Sequence, residues 1–535
     1  MNLPSGFQNK EEEIEELLFL QKNLLELSDL SFDAFVQNLE NKIIDSDSSS
    51  ELKFPLHHFL LTKQKMELFL RSICHAIQCR PLNFNLYLKL LQKFSKEIKD
   101  QFSSEYLLSR IFKNNFLRYK MYEIGLITYD SILRQSNADK NVFIYFFPEI
   151  SVHDKRYYRR RLRQSFPLKQ EIMSIDPEFH KKMRKIGYRN DDDITISIIK
   201  DDIQTYQYLW EHQEIDLKKF IFKKSIYSIN NFINEKEPNF LELSAFFGSI
   251  QVFKFLWMKK TFPIERISQF AIAGGCFEII HIIEDQQNLF DYHFISNINA
   301  SICFSREEIY DYLMNNCNFQ TDDSSIEDKN CFNEDSVAFN CFLESIQSFN
   351  FAVFIDLLPQ MKDLINKTNE NNQTPIHIAV ECSCCFFLEL ILKSYSNEIN
   401  INIQDKWEDT ALMQASFLGY ADIVQLLCSF PGIDVNLGDH YGWNPLLKAC
   451  SLGHLDAVKI LCNQENIDIN CKKKDDETPL HVAAFKGYLD VVNYLCLLEG
   501  IKINEVNADN KTPLQLAKMQ GQHEVEDYLS SLNLG

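Results

Sequence analysis

Apolar and polar positions fall in repeating blocks along the last third of the chain. The tetrapeptides TPIH, TALM, NPLL, TPLH and TPLQ begin at Thr374, Thr410, Asn444, Thr478 and Thr512, at spacings of 36, 34, 34 and 34 residues. A second ruler keeps the same period: Asn402, Asn436, Asn470 and Asn504 stand 34 apart, within ININ, IDVN, IDIN and IKIN. Each block predicts a helix–turn–helix. Thr or Asn suits the cap where a helix begins, and Pro directly after it sits in the first turn, where a missing N–H costs nothing. Nine residues after each cap come Ser383, Gly419, Gly453, Gly487 and Gly521, and a glycine there takes the left-handed conformation that stops a helix. Eight residues further on, Ile391, Leu427, Leu461, Leu495 and Leu529 form the apolar seam of a second helix. The I-x-I-N pieces read as short extended segments leading into polar turns. One unit cannot cover its own apolar face, whereas stacked units bury a continuous core, so the pattern predicts an all-α solenoid of helical hairpins.

The blocks DHYGWNPLLKACSLG and KKDDETPLHVAAFKG resemble the ankyrin repeat, D-x-x-G-x-TPLH-x-AA-x-x-G. The resemblance covers Asn366–Gly535 as five repeats. It departs from the family pattern in its period of 34 rather than 33, in Ser383 for glycine, and in Ala411 for proline. The last unit, LQLAKMQGQHEVEDYLSSL, ends in polar residues as a capping repeat should. Upstream the skeleton is worn. LELSAFFGSIQVFKFLW places Ala245, Gly248 and Leu256 at the offsets of Ala484, Gly487 and Leu495, and AIAGGCFEIIHII keeps Gly275 and Ile283. NASICFSREEIYDYL retains only Ser305 and Leu313, and IIKDDIQTYQYL only Asp201 and Leu209. Together with YFFPEI at Tyr145–Ile150, these segments resemble the degenerate front half of a group of protozoan ankyrin-repeat proteins. That implies divergent ankyrin-like hairpins over Asp191–Ile365, and a fold rather than a defined activity. Residues 1–190 read as a helical N-terminal region, with helical spacing in EEEIEELLFLQKNLLELSDL and LFLRSICHAIQC. The polar stretches Ser46–Ser50 and Thr321–Asp335 read as loops that mark boundaries.

Composition narrows the class. With 45% hydrophobic and 24% charged residues, the 535-residue chain has the balance of a folded protein. Its net charge of −20 opposes general attraction to nucleic-acid phosphates and suits basic or neutral protein partners. The 15 cysteines are odd in number and scattered, as thiols in a reducing compartment are. The N-terminus has no basic segment followed by an apolar one, and no window approaches the ~18 apolar residues of a membrane span. Val142–Phe147 is too short and runs straight into Pro148. A soluble chain in the cytoplasm or nucleus is expected.

No phosphate loop, H-E-x-x-H, G-x-S-x-G or kinase signature is present, so neither an enzyme nor a bound cofactor or metal is expected. Cys382, Cys384 and Cys385 lack the second pair that zinc requires, and read as small apolar residues between repeat helices. For His377 and His481 the resemblance implies a structural hydrogen bond to neighbouring backbone. Glu11–Glu16 reads as the exposed first turn of a helix. The run Lys155–Arg163 carries six cations interleaved with tyrosines. Its plain reading is a solvated helix face, and its alternative is docking to nucleic acid, an anionic membrane or an import receptor. The positions left free by the repeat skeleton are Lys406, Trp407, Asp409, Phe417, His440, Tyr441, Trp443, Lys474, Asp475, Phe485 and Lys511. Exposed aromatic residues there suit a non-enzymatic scaffold or adaptor that binds a protein partner along the concave face of the repeats.

Overall fold

The computed structural model describes residues 11–27, 62–173, 175, 180–181, 193–212, 230–260, 262–285, 294–316 and 334–532. Ser46–Ser50 and most of Thr321–Asp335 lie outside them. The described residues form an all-helical fold, with a lone backbone bridge between Gln404 and Thr410 in place of any sheet. The chain divides into two compact units, one built on Ala338–Gln347 and Val353–Gly535, the other on Lys10–Val337 and Ser348–Ala352.

In the first unit five hairpins follow the expected order. They are Pro375–Glu381 with Cys385–Ser394, Ala411–Leu418 with Ala421–Cys428, Pro445–Ser451 with Leu455–Cys462, Pro479–Lys486 with Leu489–Cys496, and Pro513–Gln520 with His523–Leu532. First helices pack on first helices and second on second from each repeat to the next. The seam residues Ile391, Leu427, Leu461, Leu495 and Leu529 are at most 1% exposed. The caps behave as their residue types require: Thr410, Asn444 and Thr512 accept the backbone N–H of Met413, Leu447 and Gln515 at 3.2, 2.9 and 3.3 Å. At Thr374 and Thr478 a histidine closes the cap. Thr374 N–H donates to His377 Nδ1 at 3.2 Å, so Nε2 carries the proton and donates to the Asp409 carbonyl of the next repeat at 3.2 Å. His481 repeats the arrangement with Thr478 N–H (3.2 Å) and the Lys511 carbonyl (3.0 Å).

The I-x-I-N pieces fold as turns rather than extended segments. Their asparagines stitch neighbouring repeats, which accounts for the second ruler. Asn436 Nδ2 donates to the Asn466 carbonyl at 2.6 Å and its Oδ1 accepts Asp468 N–H at 2.9 Å. Asn402 and Asn470 do the same one repeat before and after.

The second unit repeats the hairpin without the Thr-Pro starts, although Asn239 still caps Phe240–Phe247 by accepting Glu242 N–H at 2.9 Å. Asp193–Ile199 pairs with Ile203–His212, Phe240–Phe247 with Ile250–Lys259, Ile267–Gly274 with Phe277–Glu284, and Phe294–Cys303 with Glu307–Asn316. Their first helices pack in succession, as they do downstream. The worn stop positions still hold the left-handed conformation: φ is +52° at Asp201, +69° at Gly248, +77° at Gly275 and +47° at Ser305. A further stop, Phe349 at φ +61°, joins Glu334–Ser348 to Phe351–Leu357, and Leu357 eight residues on is buried.

The N-terminal helices begin with Glu11–Leu25 and Lys63–Cys79. The acidic first turn is not wholly exposed: Glu16 is buried and pairs with Lys65 Nζ at 2.8 Å. Val142–Phe147 belongs to the helix Lys140–His153, which runs on through Pro148. Within this unit His75 Nε2 lies 2.7 Å from Ser305 Oγ, and Asn230 Nδ2 donates to the Gln78 carbonyl at 3.0 Å.

Candidate functional site

The loop before each first helix is closed by a side chain of its own. Asn369, Asp405, Asp439 and Asn507 each accept the backbone N–H groups two and four residues ahead, at 2.8–3.1 Å. The fourth repeat has Lys473 at this place, and its ammonium holds Asp475 (2.6 Å) and Glu477 (3.1 Å) instead. With the loop satisfied internally, the residues at its tip turn outward. Consecutive tips are joined by backbone bonds from Lys406 N–H to Asn371 (3.0 Å), Lys474 N–H to Tyr441 (2.9 Å) and Ala508 N–H to Asp475 (2.9 Å). Between the second and third tips the Glu408 carboxylate takes their place, accepting His440 N–H at 2.6 Å.

Eight of the expected positions are exposed: Lys406, Trp407, Phe417, His440, Tyr441, Lys474, Asp475 and Phe485. Trp407 and Tyr441 are 56% and 55% exposed. Each carries a lysine over its ring, Lys406 Nζ at 4.5 Å from Trp407 and Lys474 Nζ at 5.2 Å from Tyr441. The His440 ring lies 3.8 Å from that of Tyr441, tilted by 44°, while Trp407 and Tyr441 make no ring contact with each other among the described residues. Three expected positions are otherwise engaged. Asp409 is half-buried and pairs with Lys448, which also reaches Asp439 at 3.8 Å. Trp443 is half-buried beneath Lys473 Nζ, 5.4 Å from its ring centre. The Lys511 side chain is half-buried, and its carbonyl is held by His481. Met519, 65% exposed, was missed by sequence reasoning. It stands two residues before Gly521, as Phe417 and Phe485 stand before Gly419 and Gly487, and that offset would have found it.

One histidine–cysteine pair that invites a chemical reading is closed by burial. His75 Nε2 approaches Cys79 Sγ at 3.5 Å, yet burial pushes the thiol up to about 11 and the imidazole down to about 4. A nucleophilic pair needs the opposite shifts. The cysteines at 382, 384 and 385 form no metal-binding group; none of three or more His, Cys, Asp or Glu occurs among the described residues. No helix of the described residues is long and apolar enough to cross a membrane. The basic run forms the helix Lys155–Gln164 with most of its cations outward.

A family model of ankyrin repeats, three copies long, matches residues 348–439 and 431–507. The match opens at the Phe349 hairpin, and the last hairpin follows the matched span with the same cap and stop. No curated protein matches the chain. Ankyrin repeats generally mediate protein–protein interaction and are typically non-enzymatic interaction domains. From the periodic caps, stops and seams together with this match, the C-terminal region of the chain is built of ankyrin repeats.

Proposed function

We propose that the chain is a non-enzymatic scaffold or adaptor that binds a protein partner along the concave face of its C-terminal repeats. The observation that carries this reading is the exposure of large apolar side chains at one repeating position. Phe417, Phe485 and Met519, each two residues before a left-handed stop, are 48%, 36% and 65% exposed. The core does not use them, and exposed apolar rows with aromatic anchors are what protein partners cover. Trp407 and Tyr441 at the loop tips extend the row. Lys406, Lys474 and Lys486 over neighbouring rings add local positive charge, so the face suits a segment offering apolar side chains beside carboxylates. The net charge of the whole chain is a poorer guide, because charges beyond about 8 Å are screened at physiological salt.

Site-resolved photo-crosslinking in native extract tests this reading. A photoreactive residue at Trp407 or Phe485 is expected to capture one and the same protein. The same probe at Lys459 or Asp490, exposed on the second helices, is expected to capture none. Equal capture at all four positions, or none at the first two, contradicts the reading.

A further inference from the structure

We infer that the helix Lys155–Gln164 forms a binding site for a compact, multiply phosphorylated anion, the chemistry of an inositol polyphosphate or a phosphoinositide headgroup. One side of the helix is fixed against the fold. Asp154 caps it by accepting Tyr157 N–H at 2.8 Å. Tyr157 is buried against Phe143, with its hydroxyl 3.2 Å from Ser136 Oγ, and Tyr158 stacks on the same phenyl ring at 6.1 Å. Arg161 donates to the Asn137 carbonyl at 3.1 Å. The other side carries Lys155, Arg156, Arg159, Arg160 and Arg163, all exposed and none in an ion pair with a described residue. Two cations of other helices are paired by contrast, Lys140 with Glu171 at 2.5 Å and Lys120 with Glu123 at 2.8 Å. The five exposed cations line a single open groove of about 940 Å³ together with Leu133, Asn137 and Tyr157. The one carboxylate of the lining, Asp154, is the helix cap.

The ligand class follows from charge density and reach. At 1.5 Å per residue, Arg156 to Arg163 spans about 10 Å of one helix face. An extended peptide brings a side chain to one face only about every 7 Å, so it meets that span with two carboxylates at most. A phosphorylated ring brings about −1.5 to −2 per phosphate over the same distance. Four of the five cations are arginines, whose planar forks bind phosphate oxygens in pairs. A duplex or a broad anionic surface is less suited, because it extends well beyond the ~10 Å of this helix face and most of its charge meets no partner there. A compact anion samples the field within about one Debye length, roughly 8 Å. Tyr157 is buried and Tyr158 is stacked on Phe143, so the groove lacks the free aromatic platforms on which single-stranded bases stack.

Titration calorimetry on the full chain, with inositol hexakisphosphate as probe at near-physiological salt, tests the site. Saturable one-to-one binding is expected. It should weaken about tenfold or more in Arg159→Gln/Arg160→Gln and be lost when Arg156 and Arg163 are also changed to Gln. All four side chains are exposed, so circular dichroism should show unchanged helicity; if the quadruple variant does not fold, the double variant decides. Phosphatidylcholine vesicles containing phosphatidylinositol bisphosphate, against vesicles matched in charge with phosphatidylserine, separate the sources. Selective sedimentation with the former identifies a lipid-borne headgroup, and binding of the soluble probe alone identifies a free anion. The inference is overturned by three results: no saturable binding, binding unchanged in the double variant, or equal competition by oligoglutamate or duplex DNA at matched charge.

Discussion

At Gly453 two demands meet on one residue. Its φ is +73°, and a Cβ there would stand 2.6 Å from the Tyr488 ring of the next repeat. Gly521 has φ +69° but no neighbour within 4 Å. Alanine in a left-handed position costs roughly 1–2 kcal/mol by itself. Gly521→Ala is therefore expected to cost about 1 kcal/mol, and Gly453→Ala about 2–3 kcal/mol because the ring must also shift. Urea denaturation of the two variants measures the difference, and equal costs would show that the close approach is unimportant. Asn436 supplies two bonds to the next loop, so Asn436→Ala should cost about 1–2 kcal/mol, whereas a neutral result would make the asparagine ladder incidental. The glycine stops were legible because no other residue takes that conformation as cheaply. Asp201, Ser305 and Ser383 were recovered through their offset to a buried or half-buried seam residue. Phe349 was not, since an aromatic at φ +61° has no sequence signature; its carbonyl is held by Gln21 Nε2 at 3.0 Å from a helix more than three hundred residues earlier.

At the scale of the repeat, two of the five caps depend on a neutral histidine. Burial holds the His377 and His481 imidazoles below their ordinary value, and Nδ1 of each must stay unprotonated to accept the threonine N–H. The unfolded chain therefore takes up protons more readily than the folded one. The contribution of these histidines is complete above about pH 6.5 and falls as pH drops below it. The melting temperature is expected to fall between pH 7 and pH 5. It should fall less in His377→Gln/His481→Gln, because glutamine already makes this cap in the fifth repeat, where Gln515 Oε1 accepts Thr512 N–H at 3.0 Å. Some slope should persist from His75 and His454, also held low by burial. An identical pH profile in the double variant would remove the caps from the account. The TPxH signature made these elements legible, since threonine, proline and histidine each have a reason to be there. The helix through Pro148 was less so, because its apolar residues Val142–Phe146 are buried all round and carry no helical period to read.

For the molecule as a whole, the five stacked hairpins exceed the ~3 repeats a continuous core requires, so we propose that Asn366–Gly535 folds by itself. Circular dichroism of that fragment should show a helical spectrum and a cooperative melt; an unfolded fragment would contradict the proposal. The exposed positions were legible in outline, because subtracting the repeat skeleton leaves the loop tips and the ends of the first helices. The pairing of Lys448 with Asp409, 39 residues away, was not, because it depends on how one repeat seats on the next. Nor was the lack of ion pairs between the exposed cations of the basic helix and the described residues, which depends on where the neighbouring carboxylates point. Partner binding is expected to rest most on Trp407 and Tyr441, since both are more than half exposed and make no contribution to the core. The decisive measurement is the affinity of the full chain for the protein captured at Trp407, compared with Trp407→Ala/Tyr441→Ala. Binding is expected to weaken by at least about 2 kcal/mol, roughly thirtyfold, with helicity and melting temperature unchanged. Unchanged affinity with an intact fold would contradict the proposed function.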